Sequence, residues 1–157
     1  MRDLLVRGSA WLSFACYLLT LIGWTRRFEP KLLRCLWTLG WGIFVTHVCL
    51  AFHLVHHWSH DDAWEATRVL GGVGEGIYFN YLVVIVWQID LLCWWFWPEG
   101  YLARSRWKTR LIQGFLLFMW FNATVVFAHD STWIVGAAGF VALSYSYLRA
   151  SGRKPDV

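Results

Sequence analysis

Residues 36–62 read LWTLGWGIFVTHVCLAFHLVHHWSHDD, an apolar run that ends in a cluster of imidazoles and two carboxylates. Within this stretch no Lys, Arg, Asp or Glu occurs before Asp61. The apolar part, about Leu36 to His56, matches the ~20 residues a helix needs to cross ~30 Å of hydrocarbon. It predicts a transmembrane helix. Four of the six histidines, His53, His56, His57 and His60, fall at its end. On a continued helix, turning roughly 100° per residue, they share one stripe, with Cys49 one turn earlier.

The same pattern recurs on both sides. Apolar runs span about Ala10 to Thr25, Ile77 to Trp97, Leu111 to Ala128 and Trp133 to Leu148. Arg2 and Arg7 imitate the start of a signal peptide. No small-residue cleavage site follows, and Arg26, Arg27 and Phe28 come next, so the first run reads as a retained span. A hydrophobic fraction of 58% with a mean hydropathy of +0.44 exceeds that of an ordinary soluble domain. The expectation is a single all-α integral membrane domain over residues 1–157, a bundle of five transmembrane helices with short connections. A four-helix version leaves the short last run in the interface.

Charge placement orients the bundle. Arg26, Arg27, Lys31 and Arg34 fill the first connection, Arg104, Arg106, Lys108 and Arg110 the third, and Arg149, Arg153 and Lys154 the tail. By the positive-inside rule these are cytoplasmic, in a multi-pass protein of the cell (plasma or inner) membrane. The histidine cluster is then extracytoplasmic, and the fourth run delivers His129 and Asp130 to the same level. No basic and aromatic interleaving suggests nucleic acid, so the expected partners are the lipid bilayer and other membrane subunits.

Imidazoles with nearby carboxylates suit a transition metal. The candidate ligands are His53, His56, His57, His60, Asp61, His129 and Asp130. Zn, Cu or Fe would fit, and Cys49 would favour copper. Asn122, on the face of His129, is a candidate hydrogen-bond partner for a ligand. His47 lies off the stripe and deeper, as a core histidine or an axial ligand to haem or a related pigment. No catalytic residue is assigned, although Glu65, Asp61 or Asp130 could serve a metal-bound water as acid or base.

Other features have plainer readings. Asp62-Ala-Trp-Glu65 has the form of a capping box opening a short helix that Gly71 stops. Gly71, Gly72, Gly74 and Gly76 follow a helix rather than a strand and make a turn, not a phosphate cradle. Cys16, Cys35, Cys49 and Cys93 form no C-x-x-C pair and read as small hydrophobes. Asp90, deep in the third run, needs a partner within the bundle, with Arg104 or Arg106 in reach.

His53-x-x-His56-His57 resembles the H-x-x-H-H box of membrane-bound di-iron hydroxylases and desaturases. The resemblance covers five residues; those families carry several such boxes, and this chain has one. Three functions are therefore expected in outline. The first is a metal-dependent membrane enzyme or metal-handling protein. The second is a haem- or pigment-binding electron-transfer subunit. The third is a non-catalytic subunit or assembly factor, its Gly136-Ala-Ala-Gly139 stretch packing against a partner.

Overall fold

A computed structural model describes residues 2–128 and 132–151. Seven α-helices follow one another: α1 (Arg2–Thr25), α2 (Pro30–Leu54), α3 (His60–Gly71), α4 (Gly76–Phe96), α5 (Pro98–Leu102), α6 (Arg106–Phe121) and α7 (Thr132–Ser151). A π-helical turn, Asn122–Val126, extends α6. Among the described residues, four segments are long and apolar enough to cross a membrane: Asp3–Thr25, Pro30–Leu54, Gly76–Phe96 and Arg106–Val126. The chain is an all-α, multi-pass membrane bundle.

α7 falls outside that set of four, yet it lies beside α1 along the depth of the bundle. Gly139 abuts Phe14 and Leu18, and the Ser146 hydroxyl is 2.7 Å from that of Thr25. Twenty residues at 1.5 Å each give about 30 Å, enough to return the chain to the end where α1 finishes. Gly136 and Gly139 of the small-residue stretch thus pack inside the molecule, while Ala138 between them is exposed. A Cβ on Gly136 would sit 2.4 Å from the Thr124 carbonyl oxygen, a backbone atom that cannot turn aside. Gly136→Ala is therefore expected to destabilise the bundle by about 1–3 kcal/mol. Ala138→Val, on an exposed site, should leave the unfolding midpoint in detergent unchanged.

Helix starts and stops follow local chemistry. α1 begins well before the apolar run, at Arg2, so its first turns carry Asp3 and Arg7. It ends where Arg27 takes a left-handed φ of 59°, and Pro30, which needs no N–H partner, opens α2. The fourth apolar run is not uniformly helical. Thr124 Oγ1 and Asn122 Nδ2 donate to the carbonyls of Trp120 and Phe118, four residues back, at 2.7 Å each. Such back-bonding competes with the helical ladder, and the ladder widens there into the π turn.

The centre of the bundle is aromatic. Tyr17, Trp37 and Trp87 are fully buried and mutually in ring contact, with centroids 4.8–5.8 Å apart. α1 and α2 come close enough for Ser13 Oγ to donate to the Gly40 carbonyl at 2.8 Å. A side chain at Gly40 would meet Cys16 and Trp87, both at 3.1 Å. Close backbone approach lets three large rings pack together between α1, α2 and α4.

At the basic end, Asp90 is 2% exposed and collects donors from three elements. Trp37 Nε1 donates at 3.1 Å and the Tyr101 hydroxyl at 2.8 Å, while Arg104 pairs with the other carboxylate oxygen. The Tyr101 ring stacks on Trp94 with centroids 4.6 Å apart and lies under the Arg104 guanidinium at 3.9 Å. Burial, and then the Asp90 charge, hold the Tyr101 phenol well above its ordinary pKa, so it remains a donor. Of the two partners foreseen for Asp90, the molecule uses Arg104.

Candidate functional site

The histidine stripe does not form. α2 stops at Leu54, and His57 and Trp58 both take left-handed backbone, with φ of 49° and 61°. Ser59 then caps α3 by accepting from the Asp62 amide at 3.1 Å, and His60 is the first residue of that new helix. The cap is thus Ser59, three residues before the expected Asp62, and Glu65 pairs with Arg68 at 2.6 Å instead of closing a box. Strong N-cap chemistry at Ser59 overrides the continuous periodicity that would have aligned the imidazoles. The expected end of α3 is found: it closes at Gly71, capped by Gly72 at φ 78°.

The four imidazoles consequently point to different partners. Exposed His53 accepts a hydrogen bond from Trp58 Nε1 at 3.3 Å. Exposed His60 sits with Nδ1 3.0 Å from the Tyr81 hydroxyl, beside the Tyr78 ring. His57 is exposed, and half-buried His56 lies edge-on to Phe52 at 5.7 Å. Asp61 and Asp62 are exposed in the first turn of α3, where the helix dipole favours acids. Among the described residues, no three His, Cys, Asp or Glu side chains are grouped to hold a metal ion. His129 and Asp130 lie outside the described residues. Asn122 bonds its own helix, and Cys49 is exposed, away from any gathered ligand set.

What the fold does build at this end is a cavity of about 540 Å³. Its wall combines the start of α1, the last turns of α2, the α2–α3 turn, α3, the start of α4 and the end of α6 with its π turn. Most of the lining is apolar: Val6, Phe44, Val48, Phe52, Leu70, Ile77, Met119 and Trp120 among others. The polar lining is sparse and comprises Asp3, Arg7, His47, His56, Thr67, Asn80 and Tyr81. Its size and its mixture of many apolar with few polar groups are those of a small-molecule pocket.

His47 is the most constrained of these polar groups. Its Nδ1 lies 2.9 Å from the Val6 carbonyl and 3.4 Å from Ser9 Oγ, both on α1. A carbonyl only accepts, so this contact places the proton on Nδ1 and leaves Nε2 as a lone-pair acceptor. Among the described residues Nε2 has no partner. That is how a ligating histidine is oriented, its far nitrogen tied to a backbone carbonyl. Two helices thus fix one imidazole at the cavity wall.

His56 couples the cavity to pH. Burial lowers its pKa; Asp62 partly offsets this by raising it, and His57 lowers it further. With the folded value below the unfolded one, the stabilising effect is complete above about pH 6.5 and is lost as pH falls through the folded value. Protection of the amides across residues 52–60, referred to intrinsic exchange at each pH, is therefore expected to fall from pH 7.5 to pH 5 more than protection in α4. A uniform fall along the chain would contradict this.

Asp3, Arg7 and Tyr81 entered no sequence-based site. Arg7 resembles part of a signal-peptide start until α1 is seen to begin at Arg2, and an isolated tyrosine in an apolar run gives no cue at all. No known protein family, curated protein or solved structure matches the chain.

Proposed function

We propose that this multi-pass membrane protein binds a small, largely apolar molecule in the cavity at its histidine end, with His47 Nε2 engaging the ligand's polar or metal-bearing part. The observation that carries this reading is the His47 imidazole, fixed through Nδ1 on α1 and set in the wall of a 540 Å³ cavity. Apolar lining selects a hydrophobic body, and a few placed polar groups orient it. By the positive-inside rule, the cavity end is extracytoplasmic and the end bearing Arg26, Arg27, Arg104 and Arg106 is cytoplasmic.

A second reading has its own support. A haem-like or chlorophyll-like macrocycle needs one well-oriented imidazole, not a cluster of three ligands, and a Nδ1–H anchored on a carbonyl is how such imidazoles are held. A metal held by side chains alone, through His53, His56, His57, His60 and the His129–Asp130 pair, draws support from the histidine-rich sequence, not from gathered side chains.

Absorption spectroscopy and elemental analysis of detergent-purified protein separate these readings, with His47→Ala and His53→Ala beside the wild type. Under the macrocycle reading, a Soret band is present in wild type and His53→Ala and reduced at least about tenfold in His47→Ala, a change worth about 1.4 kcal/mol. A colourless organic ligand gives no band but the same pattern in mass spectra of an organic extract. Stoichiometric metal that disappears with His53 but survives loss of His47 would instead restore the side-chain metal centre. Protein retaining neither molecule nor metal would contradict a ligand site.

A further inference from the structure

The opposite end of the bundle carries a feature that ligand binding does not use. Arg26, Arg27, Lys31, Arg106, Lys108 and Arg149 are all exposed there, contributed by the α1–α2 connection, the first turn of α2, the start of α6 and the last turn of α7. Folding gathers them: the Thr25–Ser146 contact brings the end of α7 to the end of α1, and the Asp90–Arg104 pair holds the α5–α6 connection against α4. Among the described residues none of the six forms an ion pair. Asp90 is already committed to Arg104, leaving Glu29 and Glu99 as the remaining described carboxylates at that end. Like charges so arranged repel, and the fold supplies too little counter-charge.

The height of the patch indicates what does supply it. Phe96, Trp97 and Trp107 border the same connections and are 70%, 67% and 63% exposed. Aromatic side chains in that position settle at the headgroup level of a bilayer, which places the cations among the lipid phosphates. A nucleic acid would offer the charge but no hydrocarbon layer for these rings. We propose that this basic, aromatic-rimmed end is a binding surface for anionic phospholipid headgroups, whose negative charge stabilises the folded bundle.

The test uses the full chain in nanodiscs of phosphatidylcholine, with and without phosphatidylglycerol. The thermal unfolding midpoint of the wild type should rise by several degrees with the anionic lipid, and the rise should fade with added NaCl. An Arg26→Gln, Arg27→Gln, Arg106→Gln, Lys108→Gln variant should show the wild-type midpoint in phosphatidylcholine and no rise. If that variant fails to fold, replacing the three arginines by lysine, which keeps the charge, should preserve the rise. Equal wild-type midpoints in the two lipids would overturn the proposal, as would a rise that survives in the glutamine variant. A full rise produced in detergent by inorganic phosphate alone would overturn the lipid assignment in favour of a phosphate site.

Discussion

Asp90→Ala is expected to destabilise the bundle by about 3–5 kcal/mol, because it strands a buried guanidinium. The Arg104 side chain is only 14% exposed, and its partner carboxylate is wholly buried. Without Asp90, Trp37 Nε1 and the Tyr101 hydroxyl also lose their acceptor. Water is scarce at this depth, so the orphaned donors cannot be rehydrated cheaply. Asp90→Asn removes the charge and one acceptor oxygen but keeps the other oxygen for Trp37 and Tyr101, so its cost should be smaller. Equilibrium unfolding in mixed micelles gives the comparison. Equal losses for the alanine and asparagine variants would mean that the retained acceptor oxygen contributes nothing and that the whole loss is that of the charge and its Arg104 pairing.

The second large effect is an asymmetry between two central tryptophans. Trp37→Phe is expected to cost about 1.5–3 kcal/mol more than Trp87→Phe, the range for a hydrogen bond to a charged group. Both indoles are fully buried and touch each other, so the packing lost is similar. They differ in the N–H. That of Trp37 serves Asp90, whereas that of Trp87 is buried without a partner. Removing an unpartnered donor relieves a cost, whereas removing a partnered one takes a hydrogen bond from the buried Asp90 carboxylate, which keeps only Tyr101 and Arg104. Truncation of Trp87 to alanine is another matter. It empties a site bounded by Tyr17, Trp37 and Phe44, and should cost about 3–5 kcal/mol. In a bilayer that loss is mostly of packing, since lipid is as apolar as the core.

Hydropathy made the spans legible: the runs led by Leu36, Ile77 and Leu111 all lie on membrane-length segments. The common placement of the basic connections was equally legible, because an even number of crossings joins them. Asp90 announced its need for a partner by its depth alone. The site was less legible. The spacing from His53 to His60 matches a helix, but periodicity is blind to a cap, and Ser59 ends the alignment. The cavity is a property of six segments and of helix ends whose limits hydropathy does not fix. α1 begins at Arg2, ahead of its apolar run, and only then do Val6 and Ser9 reach His47. That pairing joins residues 41 positions apart, which no local pattern encodes.

Occupancy of the cavity is the most direct question to put to the protein. Mass spectrometry of an organic extract from purified wild type, compared with Ala51→Phe, measures it. Ala51 lines the cavity on α2, and a phenyl ring there would fill space without touching Asp90 or the aromatic centre. A small apolar molecule should accompany the wild type and be missing from Ala51→Phe, with both proteins equally helical by circular dichroism. The same molecule at the same stoichiometry in both proteins would place the ligand elsewhere and contradict a binding site at the histidine end.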